Sequence, residues 1–192
     1  MNLCKLLKLG DYMFKFLENK PASTERNLFT RQCIGDALIK LMKINNIDNI
    51  TVKDIVTCAG VSRMTYYKYY STKREIITDY LYEILKKYIS EAQTLCDSDV
   101  FNDYQHIHHC FNYFKNYSDF FLTLINSNYY SLAINTLNKY LDLMVLPHSK
   151  QSRYEIYYYA GALFNVYIKW IESNMEESVE DLSKTVYEFI HK

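Results

Sequence analysis

Apolar residues recur along this chain at steps of three and four, the spacing that places side chains on one face of an α-helix. The first such stripe runs from Thr24 to about Asn45 and comprises Leu28, Cys33, Ala37, Leu38, Leu41 and Ile44. A second stripe follows Thr72 and comprises Ile77, Tyr80, Leu81, Ile84, Leu85, Tyr88 and Ile89. Both patterns predict amphipathic helices with a buried side.

Between these stripes, the residues from Thr51 to Tyr70 predict a helix, a tight turn and a short second helix. Thr51 is a good N-cap for the first of these helices. Gly60 stands where that helix must end in a left-handed conformation, and Ser62 can cap the next one. This order is that of a helix-turn-helix.

The remainder of the chain continues the helical pattern. Further helices are expected at about 99–116, 118–126, 128–146, 151–173 and 178–191. Residues 1–20 have the pattern of an additional amphipathic helix that ends at Pro21. The chain has only 4 Gly and 2 Pro in 192 residues, so long stretches lack the residues that break helices. The fold class is therefore predicted to be all-α.

The net charge is zero, but the charges are unevenly distributed. Residues 26–75 carry nine basic and four acidic side chains, whereas residues 76–192 carry nine and fifteen. A basic segment of about fifty residues therefore contains the predicted helix-turn-helix, and a segment of this kind favours a nucleic-acid partner.

Cysteine usage and hydropathy point to a cytoplasmic protein. The five cysteines are scattered, and their odd number argues against a disulfide framework. No apolar run reaches the roughly 18 residues of a membrane span, so no membrane partner is expected. Lys5, Lys8 and Asp11 interrupt the apolar start in a way that does not fit a signal peptide.

The residues T51-V-K-D-I-V-T-C-A-G-V-S-R-M-T-Y-Y-K-Y-Y-S-T-K73 resemble the DNA-binding domain of the TetR family of regulators. The likeness rests on a threonine-led helix, an Ala-Gly-Val-Ser turn, and a tyrosine-bearing helix followed by a lysine. It implies that Thr51 contacts phosphate, that Tyr67 meets the DNA backbone and that Lys73 lies near a phosphate. Met64 departs from the family pattern, which often has a small residue there.

The chemistry of these residues agrees with this resemblance. The first turn of a recognition helix must be exposed to reach base edges, so Arg63 is suited to guanine and Thr65 to a base or a thymine methyl. Tyr66 and Tyr70 are expected in the core. The predicted DNA-binding residues are Thr51, Ser62, Arg63, Met64, Thr65, Tyr67, Lys68, Tyr69 and Lys73.

The segment from Tyr159 to Leu182 resembles a C-terminal region common among TetR regulators, and the resemblance implies a homodimer formed by the last two long helices. Gly161 and Ala162 allow close helix approach. The predicted interface comprises Gly161, Leu163, Phe164, Tyr167, Trp170 and Ile171. The alternative is that this apolar face packs inside one protomer.

The C-terminal part also suggests a small-molecule site. Aromatic residues suited to an effector pocket are Tyr104, Phe114, Phe121, Tyr130 and Tyr159, with core packing as the alternative. Asp103, His106 and Cys110 share one helix face, together with neighbouring histidines at 108 and 109. One helix seldom completes a metal site, so neither a metal nor another cofactor is assigned.

These observations predict three segments: an N-terminal extension (1–23), a three-helix helix-turn-helix DNA-binding domain (24–72), and a helical dimerisation and effector domain (73–192). The predicted function is sequence-specific transcriptional regulation, as a repressor, by a homodimer that binds a pseudo-palindromic operator in double-stranded DNA and is released by a small-molecule effector. No catalytic motif is present, so no enzyme activity is expected. The alternative is a regulator-like protein-interaction module or co-activator that has lost direct DNA reading.

Overall fold

The computed structural model describes residues 24–95 and 102–192. Over these two ranges the chain forms nine α-helices and no strand, which confirms the all-α prediction. The expected N-terminal extension, 1–23, lies outside the described residues.

The first described range contains four α-helices. They are α1 (Glu25–Met42), α2 (Val52–Ala59), α3 (Arg63–Tyr69) and α4 (Lys73–Leu95), with a 3₁₀ turn at Ile47–Asn49 between α1 and α2. The second range contains α5 (Tyr104–Lys115), α6 (Ser118–Asn126), α7 (Tyr130–Tyr140), α8 (Arg153–Glu172) and α9 (Val179–Ile190). The helix expected over 128–146 changes character at Leu141, where a π-helical turn runs to Val145 before a 3₁₀ turn at Leu146–His148.

The helices form two compact units. The described residues up to Glu83 group with Ser127–Asn135, and the second unit comprises Ile84–Asn126 and Thr136–Lys192. The ranges 73–83 and 127–135, expected in the C-terminal domain, thus pack with the first unit. The functional division of the chain stays a prediction.

In the first unit, α1 packs against α2, and α2 packs against α3. Its most deeply buried apolar side chains are Ile34, Leu38, Ile55, Tyr66, Ile76 and Ile77. Ile44, expected on the buried face of the first helix, is 78% exposed because α1 ends at Met42 and no longer carries that face. Thr24 caps α1, its hydroxyl accepting a hydrogen bond from the Asn27 amide.

In the second unit, α5 packs against both α8 and α9, and α6 packs against α8. Its core is rich in aromatic residues, with Phe111 and Tyr167 among its most buried side chains. The rings of Phe111 and Trp170 meet edge to face at 6.1 Å. Such packing explains much of the high aromatic content of the sequence.

Candidate nucleic-acid interface

The first helix of the predicted motif, α2, begins at a complete capping box. The Thr51 hydroxyl accepts a hydrogen bond from the Asp54 amide at 3.2 Å, and the Asp54 carboxylate accepts from the Thr51 amide at 2.9 Å. The Thr51 hydroxyl also donates to that carboxylate at 2.7 Å. These hydrogen bonds, the side-chain bond first, lower the pKa of Asp54. Thr51 is exposed, and its side chain is held in one place at the start of α2.

The turn after α2 has the geometry predicted from the sequence. Gly60 lies in the left-handed region at φ 67° and ψ 30°, where a side chain would be strained. The Val61 amide then donates to the Val56 carbonyl at 3.0 Å, which closes the end of α2. Ser62 caps α3, and its Oγ accepts from the Thr65 amide at 3.0 Å. The outline from Thr51 to Tyr70 is therefore a helix-turn-helix.

The short helix α3 has a buried side and an exposed side. Tyr66 is 1% exposed and Tyr70, directly after the helix, is 2% exposed, which confirms both as core residues. Burial raises the pKa of Tyr66 to about 12. The opposite side consists of exposed residues that we call the α3 outer face: Arg63, Met64, Tyr67 and Lys68.

Tyr69 lies between these two sides. Its hydroxyl donates a hydrogen bond of 2.7 Å to the Asn27 side chain near the start of α1. The Lys68 ammonium lies 5.2 Å from the centre of the Tyr69 ring, within the range of a cation–π contact. Tyr69 therefore links the end of α3 to α1, and its predicted contact with DNA stays a prediction.

Lys73 occupies an unexpected position at the start of α4. Its ammonium donates to the carbonyls of Ile47 and Ile50, the latter at 2.9 Å, and lies 3.5 Å from the carbonyl of Asp48. These carbonyls belong to the 3₁₀ turn before α2 and to the residues beside it. Lys73 therefore stabilises the connection into the motif, while its predicted phosphate contact remains to be tested.

One buried polar cluster in the first unit was missed by the sequence interpretation. Arg31 on α1 is 5% exposed and pairs with Asp79 and Glu83 on α4. The sequence did contain a signal for this cluster. Arg31 lies three residues before Ile34 and seven before Leu38, which places it on the apolar face of the helix. A cation on an apolar face predicts a buried partner.

Four of the predicted dimer-interface residues are instead buried within one protomer, which corrects that assignment. Leu163, Tyr167, Trp170 and Ile171 are each no more than 6% exposed. Their physical role is to fill the second unit: the Tyr167 hydroxyl, for example, donates to the Phe114 carbonyl at 2.9 Å. Of the predicted set, only Gly161 is exposed and Phe164 half-buried.

The predicted effector residues make several different contacts, and their role in binding a ligand stays a prediction. Phe114 and Phe121 meet edge to face at 6.0 Å, and both contact the Tyr167 ring. Tyr104 is exposed and packs against Tyr187 on α9. The Tyr159 hydroxyl accepts from the Asn102 side chain at 3.2 Å, and Tyr130 belongs to the first unit.

The histidine-rich start of α5 is engaged in helix capping and core packing. Asp103 caps the helix by accepting from the His106 amide at 2.7 Å, and His106 Nε2 is hydrogen-bonded to the Tyr88 hydroxyl at 2.8 Å. Burial lowers the pKa of His106 to about 4 and raises that of Cys110 to about 12. Across residues 24–95 and 102–192, no three His, Cys, Asp or Glu side chains are placed to hold one metal ion.

A helix that crosses a bilayer needs about 20 mostly apolar residues. Within residues 24–95 and 102–192, no helix is long and apolar enough to do so.

Comparison with known proteins gives a consistent result. Residues 101–192 match the family model TetR_C_8, described as a transcriptional regulator C-terminal region. The chain is 26% identical over 165 residues to the uncharacterized HTH-type transcriptional regulator YxbF of Bacillus subtilis (strain 168). That match covers 82% of this chain and 43% of the relative, so the chain spans less than half the length of the curated relative it matches.

Solved structures show the same fold. A TetR transcriptional regulator from Streptococcus agalactiae 2603V is similar at a TM-score of 0.57 and 21% identity, over 86% of this chain and 96% of that one. The regulator FadR from Bacillus subtilis, solved in complex with stearoyl-CoA, is similar at a TM-score of 0.54 and 16% identity, over 83% and 96%. The matched C-terminal region, the helix-turn-helix geometry, the curated relative and these structures together support a TetR-type transcriptional regulator.

Proposed function

We propose that this chain is a cytoplasmic repressor that binds a pseudo-palindromic operator as a homodimer and is released by a small-molecule effector. The observation that carries the proposal is the α3 outer face. It is presented by a helix-turn-helix whose two helices are capped at their starts and joined through a left-handed glycine. This geometry supports insertion of α3 into the major groove.

The chemistry of that face suits DNA. Arg63 carries a planar guanidinium that can bond two acceptors of a guanine edge, and Lys68 offers a cation for phosphate. Both are exposed, and they lie in the segment with nine basic and four acidic side chains. The local charge therefore supports DNA binding although the net charge of the whole chain is zero.

The test begins with selection of bound sequences from random duplexes, followed by anisotropy titrations at several salt concentrations. We expect Arg63→Ala to weaken binding by about 1–3 kcal/mol and to relax the preference at one base pair. Lys68→Ala should weaken binding to all sequences alike and reduce the salt slope by about one. Lys115→Ala, which removes an exposed cation from α5, is the matched control. It should change neither the affinity for DNA nor the salt slope.

Two outcomes would contradict DNA recognition by α3. One is an unchanged affinity in both the Arg63 and Lys68 variants. The other is the absence of any enriched sequence combined with salt-independent capture of a protein partner, which would favour the interaction-module alternative.

The exposed side of α8 supports the proposed homodimer. Tyr154 is 74% exposed and Tyr158 is 62% exposed, and Gly161 follows on the same helical side. A Cβ added at Gly161 would meet no atom of the protomer within 4 Å. The surface is therefore apolar, open and able to admit the close approach of a second copy.

Gly161 also provides a clean test of the dimer. Gly161 is exposed and an added Cβ there meets open space, so Gly161→Trp should preserve the fold while obstructing a partner helix. We expect sedimentation to show a dimer for the original chain and a monomer for this variant. Lys115→Trp, which places the same side chain on α5, should remain dimeric. A Gly161→Trp variant that stays fully dimeric would move the interface elsewhere.

The effector is proposed to have an apolar portion. The similarity in fold to FadR, which was solved with stearoyl-CoA, supports this class of ligand. Two polar atoms of the second unit, His109 Nε2 and Gln151 Oε1, are buried without a partner among the described residues. Buried polar atoms of this kind are suited to the polar part of a ligand.

Calorimetry with stearoyl-CoA, a short acyl-CoA and free coenzyme A tests this class. We expect the long-chain ligand to bind and to release the selected operator. Equal binding of free coenzyme A would contradict an apolar requirement, and no binding of any of the three would exclude this ligand class.

A further inference from the structure

Met64 is the most exposed member of the α3 outer face that lacks a charge, at 86% exposure. Its thioether side chain is apolar and flexible, and its sulfur is at best a weak acceptor. Exposing so large an apolar group on a short helix costs free energy until something covers it. The question is which group in an operator can do so.

The neighbouring hydroxyls in the first turn of α3 are already used within the helix. Ser62 Oγ accepts from the Thr65 amide at 3.0 Å, and the two hydroxyl oxygens are 2.8 Å apart. Both bonds belong to the cap of α3. Arg63 and Met64 are therefore the first-turn side chains that are exposed and not used in capping.

Base chemistry narrows what Met64 can contact. In the major groove, guanine, cytosine and adenine present hydrogen-bond donors and acceptors, whereas thymine also presents a methyl group at C5. Methionine cannot donate to any of these acceptors, but its methylenes and terminal methyl can cover the thymine methyl. We propose that Met64 reads a thymine methyl in each half-site, beside the base pair read by Arg63.

The surroundings of Met64 favour DNA over an apolar protein pocket as its partner. Arg63 precedes it and Lys68 lies one helical turn further on, so two exposed cations flank the apolar group. An apolar protein pocket would have to desolvate or compensate both cations. In DNA, phosphates on either side of the groove supply that compensation. This inference rests on the proposed function and adds a base preference to it.

The test uses the selected operator and deoxyuridine, which differs from thymidine only by loss of the methyl group. Each thymine is replaced in turn, and binding is measured for the original chain and for Met64→Ala. We expect one thymine per half-site at which the replacement weakens binding of the original chain about fourfold, the effect of leaving one methyl uncovered. The same replacement should leave binding by Met64→Ala unchanged. Met64→Leu, which keeps an apolar side chain, should retain the sensitivity.

Ile44→Ala is the matched protein control, because it removes another highly exposed apolar side chain from the same unit. It should keep the full response to deoxyuridine. If the operator binds and Arg63→Ala weakens it, but every thymine responds equally in the original chain and in Met64→Ala, the thymine assignment is overturned alone. If no duplex is enriched, the proposed function is overturned together with it.

Discussion

Arg31 on α1 and Asp79 on α4 form a two-point ion pair inside the first unit. Arg31 Nε lies 2.7 Å from Oδ2 of Asp79, and Nη2 lies 2.5 Å from Oδ1. The same Nη2 donates to Glu83 at 2.6 Å, and the Tyr70 hydroxyl donates to Asp79 Oδ2 at 2.5 Å. Asp79 thus connects α1 and α4 with Tyr70, the residue directly after α3, and the cluster helps to orient the helix-turn-helix.

Breaking this pair from one side should be strongly destabilising. Arg31→Met leaves the Asp79 carboxylate buried without its cation, so we expect the free energy of unfolding to fall by about 3–5 kcal/mol in urea denaturation. The double variant Arg31→Met/Asp79→Asn should recover part of this loss, because asparagine carries no charge and still accepts from Tyr70. A double variant less stable than Arg31→Met would contradict the argument.

Gly35 permits the close approach of α1 to the Tyr80 ring. A Cβ at Gly35 would lie 2.5 Å from Cδ2 of Tyr80, whose hydroxyl donates to Asp36 at 2.7 Å. Gly35→Ala should therefore lower the free energy of unfolding by about 1–3 kcal/mol, the usual cost of overpacking. Tyr80→Ala removes the ring that the added Cβ would meet. In that background, Gly35→Ala should lower the free energy of unfolding much less than it does in the original chain.

Gly161→Ala is the matched control for Gly35→Ala, since it makes the same change in an α-helix where the added Cβ meets open space. It should raise the stability by up to about 1 kcal/mol through helix propensity alone. Both variants should be compared at one protein concentration because association shifts apparent stability. Equal effects at the two glycines would refute the role assigned to Tyr80.

Lys73 should contribute to stability through the carbonyls around the 3₁₀ turn. Lys73→Met removes the ammonium that donates to the carbonyls of Ile47 and Ile50. We therefore expect the free energy of unfolding, measured by heat or urea, to fall by about 1–3 kcal/mol. Lys73→Arg should be less damaging because it keeps a cationic donor. The predicted contact of Lys73 with phosphate is tested separately by the salt dependence of DNA binding. If Lys73 contacts a phosphate, the salt slope of Lys73→Met should be smaller by about one. Unchanged stability in Lys73→Met would contradict the structural role.

His106 should make the protein sensitive to mild acid. Burial lowers its pKa from the ordinary 6.5 to about 4 in the folded protein. Between these values the unfolded chain binds more protons, so stability falls as the pH drops from about 6.5 to 4 and levels off below. The total loss in the free energy of unfolding from His106 is on the order of 3 kcal/mol.

His106→Gln isolates this contribution, because glutamine can still bond the Tyr88 hydroxyl without titrating. Urea denaturation from pH 7 to 4 should show a shallower decline for this variant. A residual decline is expected from His109, whose pKa is also lowered by burial, and from carboxylates. Identical pH profiles for the two proteins would rule out His106 as the titrating group.

The contrast between α3 and α8 shows how far sequence patterns can be taken. On α3, the division into buried Tyr66 and exposed Tyr67 followed from a recognised motif in which each position has a role. On α8, an equally clear apolar stripe was assigned to a dimer interface, although Tyr167 and Trp170 pack inside the protomer. Periodicity identifies an apolar face but does not say whether the same chain or a second copy covers it.

Local features of this protein were determined by its sequence alone. The Thr51 cap, the left-handed Gly60 and the Ser62 cap depend on atoms within a few residues, so residue type and spacing suffice to predict them. Tertiary structure decided the rest. Arg31 meets Asp79 across 48 positions, and Lys73 reaches carbonyls more than twenty residues earlier. Such partners are chosen by how helices pack, because burial and hydrogen bonding over long separations depend on the whole fold.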